Sequence, residues 1–191
     1  MTNTTESRAT TTEGPVSGRD RPVASAFGDI INVLMRTETF RDLKLRDLDW
    51  LVMPALQSGQ FALAHGDPRR PDERKNDPPG AEKPNIPIAV VLWAHVSEDV
   101  DSKLRVQVDA PFVKLAPEDW RSGEIPWIVA AGGLPDALRA ALGHMARDVF
   151  PGNPANILIN ENGVSKVVKL VPPAAQDNHD HDHGHSHDHE H

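Results

Sequence analysis

Seven histidines stand at alternate positions at the end of the chain: His179, His181, His183, His185, His187, His189 and His191. Asp180, Asp182, Asp188 and Glu190 are interleaved with them. Imidazole nitrogens ligate Zn²⁺, Ni²⁺ and Cu²⁺, and the carboxylates add local negative charge. The tract is therefore expected to hold metal, Zn²⁺ or Ni²⁺, loosely and at several points. An expression tag normally has uninterrupted histidines, so the alternation reads as native. The same composition also serves as a solubilising tail. The other three imidazoles are scattered. His95 falls near the end of an apolar run that reads as a central strand, where ligand sites of open α/β sheets gather. It is a secondary candidate for a base, against the commoner structural role of a lone strand-end histidine. Asp42 is another, with Asp47 and Asp49 nearby; such carboxylates more often cap helices or face water. His65 borders a charged loop and is expected to be solvated, and His144 sits beside a helical apolar stripe. Gly132-Gly133 precedes a helix and would leave N–H groups free to hold an anion, though a plain turn explains the pair as well. There is no cysteine, which excludes disulfides, thiol catalysis and Cys-based zinc sites.

The elements that position these residues follow from periodicity. Phe27, Ile30, Ile31 and Leu34 lie at helical spacing within residues 26–36. A second helix is expected over 45–58, with Asp47 as cap, Leu48, Leu51, Val52 and Leu56 inward, a kink or break at Pro54, and Gly59 as its end. Residues 60–65 read as a strand. Residues 66–85 form a charged, Pro-rich stretch too long for a hairpin and read as an exposed insertion. It carries Arg69, Arg70, Arg74 and Lys75, either an attraction for an acidic partner or a solvated face. The run 86–96 is the central strand, and Ser97 starts a short helix to about residue 105. After a turn at 119–124, residues 126–131 form a buried strand that Gly132-Gly133 breaks. The clearest helix is 134–150, with Leu134, Leu138, Ala141, Leu142, Met145 and Val149 as its stripe. Strands 156–160 and 164–170 close the domain around a Glu161-Asn162-Gly163 turn. The order α-α-β-β-α-β-α-β-β favours an α/β (α+β) sandwich, a single domain.

The chain has 191 residues and a formal net charge of −8. Residues 1–24 are Thr, Ser, Gly, Pro and Arg with few apolar side chains, and are expected to be disordered. Residues 172–191 are a His/Asp-rich disordered tail, leaving 25–171 as the folded domain. With the tail's acids set aside, about −3 remains, and no basic stripe points to nucleic acid. No run of 18 apolar residues exists, so no membrane span is expected. The start has no apolar segment after its charges, so a secretory leader is not expected, and the absence of cysteine fits a cytoplasmic location.

Several segments taken in order resemble one family. Leu51-Val52-Met53-Pro54-Ala55-Leu56-Gln57-Ser58-Gly59-Gln60-Phe61 resembles the "LPAIQ…QY" segment of the RTX toxin-activating (hemolysin-activating) lysine acyltransferases. Pro87-Ile88-Ala89, Trp93-Ala94 and Ser97-Glu98 are similar to their "P-V-A…W-A…S-x-E" strand and helix. Ala116 to Gly123 is similar to their "A-E-D-W-T-S-G", and Trp127 to the Trp heading the next strand. Phe150-Pro151 and Gly163-Val164-Ser165-Lys166-Val167 look like the end of their long helix and their closing strand. The resemblance spans about residues 27–170. It implies an acetyltransferase-like mixed sheet flanked by helices. It also implies transfer of a fatty acyl group from acyl-carrier protein to lysines of a repeat-containing toxin, in the cytoplasm, by a homodimer.

The family is understood to use a His after its first helix and an Asp on the central strand. Counted without gaps from Gly28 and from Trp127, those positions fall on Phe40 and Ala130. Neither side chain can take a proton from a lysine ammonium. Three readings follow: an acyltransferase with an unrecognised base, a non-catalytic binding protein on the same scaffold, or a metal-handling protein acting through its tail.

Overall fold

The computed structural model describes residues 16–17, 22–110, 112–161 and 163–171. The first helix, α1 (Val23–Leu34), starts directly after Pro22 and buries Ala26, Ile30, Val33 and Leu34. A 3-10 turn at Leu45–Asp47 leads into α2 (Leu48–Leu51) and α3 (Met53–Ser58). The break between them falls at Val52, two residues ahead of Pro54, whose ring excludes the preceding turn's helical hydrogen bond. Strand β2 (Phe61–Gly66) then crosses to α4 (Pro71–Arg74), β3 (Ile86–Val96) and α5 (Glu98–Arg105). A 3-10 turn at Pro117–Trp120 precedes β4 (Ile125–Gly133) and α6 (Pro135–His144). Strands β5 (Asn156–Glu161) and β6 (Val164–Lys169) end the fold.

These strands and the two-residue β1 (Val16–Ser17) form one mixed sheet in the order β1-β2-β3-β4-β5-β6. Every neighbouring pair is antiparallel except β4 and β5, which run parallel and are linked across the sheet by α6. The larger apolar cluster lies between the sheet and α1, α2, α3 and α5. The smaller one lies on the opposite face, where Ala141, Met145 and Phe150 cover Val91, Trp93 and Ile128. This is the α+β single-domain sheet, flanked by helices, that the element order suggests.

Four details depart from the sequence reading. Val16–Ser17 lies within the stretch expected to be disordered, yet pairs with Leu63 and Ala62 at the edge of β2. Backbone pairing of this kind needs no apolar side chains. Gly132 and Gly133 do not break β4 but remain in it, paired with Val90 and Ala89. The long helix is not uniform: Met145–Val149 is a π-turn, closed by the Phe150 amide on the Met145 carbonyl at 2.9 Å. The extra residue rotates the apolar stripe, so that Phe150 is buried while Val149 is 36% exposed. At the other end Leu134 precedes the helix and is 41% exposed. The insertion is also organised. The Arg69 guanidinium bridges Asp67, at 2.6 Å, and Asp77, at 2.8 Å. Hydrogen bonding to Arg69 holds the Asp67 carboxyl down to about 2. One of the loop's five cations is thus spent on the loop itself.

Candidate functional site

The parallel pairing of β4 with β5 is short. Trp127 faces Asn156 and Ile128 faces Ile157, and there the register ends. Beyond it β4 continues to Gly133 along β3, and β5 continues to Glu161 along β6. The two central strands therefore part like a fork, with its apex at Trp127 and Asn156. Just past the apex β4 carries a bulge: Leu92 pairs with Ala130 but Trp93 pairs with Ile128, leaving Val129 as the extra residue. A bulge of this kind re-aims the side chains after it. Here Val129 and Ala130 both enter the larger apolar cluster.

Phe40 and Ala130, the positions at which the resemblance sets the expected His and Asp, both lie in that same cluster. Phe40 is 5% exposed and Ala130 is 2% exposed. Phe40 packs its ring against Phe112, at 5.4 Å between centroids, and Phe112 stacks on Trp50 at 6.0 Å. Phe40 thus stands at the corner of an aromatic cluster. Nothing at either position can accept a proton.

The other candidate residues do not converge on this point. Asp42 is a surface carboxylate, its side chain 94% exposed, 4.0 Å from Arg41. Asp47 accepts from the Lys44 amide and from Trp50 Nε1, and these bonds hold its pKa below the usual carboxylate value. It thus locks the entry to α2 instead of serving as a base. His95 pairs with Pro126, at the end of β3 opposite the Ala89–Gly133 pair. Its Nδ1 is 2.9 Å from Gln60 Nε2, its ring meets Phe150 edge-on, and burial lowers its pKa. Gly132 and Gly133 are demanded by packing. A Cβ on Gly132 would sit 2.5 Å from Thr37 Oγ1, and one on Gly133 would sit 2.2 Å from the Ile88 carbonyl oxygen. The amide of Leu134 is already given to Ile88 O, and Pro135 has no N–H to offer an anion. The seven tail histidines lie outside the described residues.

Two carboxylate contacts escape sequence reading. His65, expected to be solvated, is 3.1 Å from Asp29, with side-chain exposures of only 16% and 21%. This imidazole–carboxylate pair joins α1 to β2 and sits two strands away from the fork. The second contact is at the fork's apex. Asp101, in α5, accepts at one oxygen from Trp127 Nε1 at 2.7 Å and from Asn156 Nδ2 at 2.8 Å. Its other oxygen accepts from Arg105 Nε at 2.8 Å. Desolvation, the largest influence, raises its pKa, but the bonds from Arg105 and Trp127 outweigh it and hold the pKa below the usual value. The signals were a helix-terminal acid, an acid–Arg pair four residues apart, and an Asn opening a strand, each of which has a commonplace local explanation.

Among the described residues no group of three or more His, Asp or Glu side chains converges to hold a metal ion. No helix among them is long and apolar enough to cross a membrane. A search of curated proteins gave no match. The family model of the RTX toxin acyltransferases matches residues 81–171, a span that takes in β3, α5, β4, α6, β5 and β6 and so contains the whole fork. Over that span the chain is similar to the RTX toxin acyltransferase family, the family that the ordered motifs of its sequence resemble.

Proposed function

We propose that this chain receives the acyl-bearing arm of an acyl-carrier protein in the fork between β4 and β5, on a scaffold built for transfer to protein lysines in the cytoplasm, with the proton-accepting pair removed. The observation that carries this reading is the fork itself: two parallel strands that separate after two register pairs, with a bulge at the point of separation. The thioester arm of an acyl carrier is an extended chain containing amides. Such a chain can bond to the free edge of a strand as a peptide does in strand addition. The stretch of β4 from Val129 to Ala131 offers that edge. The family match over residues 81–171 supports the same donor and a lysine-bearing acceptor protein.

The chemistry is then limited by proton transfer. A lysine amine is mostly ammonium at neutral pH and attacks a thioester only after deprotonation. Binding and orientation lower the barrier without a base. Loss of a general base typically costs about 10²–10⁴-fold in rate. Phe40 and Ala130, both in the apolar cluster, leave the chain with the first contribution and without the second.

The test is an incubation with acyl-acyl-carrier protein and a repeat-containing toxin, with an active family member run in parallel. The expected outcome is saturable binding of the carrier and lysine acylation at least ~100-fold slower than the relative's. The double variant Phe40→His with Ala130→Asp should raise the rate if the chain stays folded. Acylation at the relative's rate by the unaltered chain would remove the claim that the base is lost. Absence of carrier binding would remove the reading as a whole.

A further inference from the structure

We infer that Asp101 is a positioning residue for the donor arm: its carboxylate ties β4 to β5 at the apex of the fork and so fixes how the edge of Val129–Ala131 is presented. The inference rests on the function proposed above for its ligand, but the tie can be tested without one.

Three observations converge. Trp127 and Asn156 are the register pair at which the two strands meet, and both are 0% exposed. Both donate to the same oxygen of Asp101, which thus spans the two strands from α5. Arg105, one helical turn on, holds the second oxygen and places its guanidinium 6.0 Å from the Trp127 ring. The carboxylate is 14% exposed, and taking it out of water is unfavourable unless donors replace the water. An apolar side chain would fill the space at lower cost, but it could not hold two strands in one register through directional bonds. Asn156 adds to the case. It gives its N–H to Asp101 while its Oδ1 is buried without a hydrogen-bond partner, an unfavourable arrangement that packing alone would not retain. Asp101 is poorly suited to act as a base itself, since all its bonds favour the ionised form.

The experiment compares the full chain with Asp101→Ala, Asp101→Asn and Asn156→Leu, by amide hydrogen exchange without ligand and by binding of holo-acyl-carrier protein. Asn156→Leu removes both the tie to β5 and the orphaned acceptor, so it is expected to melt at or above the native temperature. Despite that, exchange at residues 127–128 and 156–157 should rise at least ~10-fold in Asn156→Leu and Asp101→Ala. Asp101→Asn keeps an acceptor oxygen and should recover much of the protection lost in Asp101→Ala. Carrier binding should weaken in the same order, as a rise in KM with little change in kcat where turnover is measurable. Native exchange in both Asn156→Leu and Asp101→Ala would overturn the tie. Loosened strands with native carrier affinity would overturn the positioning role. If the native chain binds no carrier, the proposed function fails, while the exchange measurement still decides whether Asp101 fastens the fork.

Discussion

Asp101 and His95 are the two groups whose titration the fold couples most directly to its interior, and both have pKa values moved downward. For Asp101 the cause of the net shift is hydrogen bonding from Arg105 and Trp127 to the ionised form, against the opposing effect of burial. The unfolded value is about 3.9. Its stabilising contribution is therefore complete above that value and is lost as pH falls through the lower folded value. For His95 burial disfavours the imidazolium, with Glu124 acting in the other direction. Its contribution is complete above the unfolded value of about 6.5 and is lost as pH falls through the folded one. Thermal melts from pH 8 to pH 3 should thus show two acid limbs. Asp101→Asn should flatten the lower limb and His95→Asn the upper, each by about one proton's worth of slope. An unchanged lower limb in Asp101→Asn would mean that the carboxylate is not held in its charged form. Neither behaviour could be read from the sequence. His95 was placed by its apolar run, but the Gln60 contact joins residues 35 positions apart. Asp101 had the pattern of an ordinary helix-terminal acid, and only the pairing of β4 with β5 brings Asn156 beneath it.

At the level of elements, the close packing of the end of β4 against β3 and the turn after α1 depends on two glycines. Gly133 has φ +126°, a conformation that side chains with a Cβ rarely adopt, and it lies against the Ile88 carbonyl. Gly133→Ala is expected to destabilise the chain by about 2–4 kcal/mol from strain and overlap together. Gly132 instead meets a side chain, that of Thr37, whose Oγ1 donates to the Val33 carbonyl at 3.0 Å. Gly132→Ala should cost about 1–3 kcal/mol, and adding Thr37→Ala should recover part of it, because the nearest obstructing atoms then disappear. Urea titrations of the single and double variants check this; strictly additive losses would show that the contact is not the cause. These close approaches explain where periodicity succeeded and where it did not. The expected bounds of β3 and α5 coincide with the observed elements, because an unbroken apolar run and the Ser97 cap are local signals. Gly132-Gly133 reads as a strand end on local grounds, yet the strand continues, and the glycines leave room for Thr37, in the turn after α1, and for the β3 backbone at Ile88 and Ala89. The π-turn at Met145–Val149 is likewise invisible to a stripe drawn at 3.6 residues per turn, since it brings Phe150 inward in place of Val149.

For the molecule as a whole, two kinds of chemistry are kept apart along the chain. The folded body carries the fork and an apolar cluster that takes in Phe40 and Ala130, and its described residues hold no converging set of metal ligands. The metal-attracting groups are concentrated in the seven alternating histidines from His179 to His191. Their spacing gives each imidazole a carboxylate, Gly or Ser neighbour, a composition that favours several loose sites over one closed tetrahedral centre. Metal binding is therefore predicted to reside in the tail and to be separable from acyl-carrier binding. Calorimetric titration with Zn²⁺ and Ni²⁺ should show uptake by the full chain and its loss in a chain ending at Val171, with holo-acyl-carrier protein bound equally by both. Uptake should also weaken as pH falls below about 6.5, because only neutral imidazole ligates a metal. Equal metal uptake by the two chains would place the ligands in the body, and loss of carrier binding with the tail would show that the two chemistries are one.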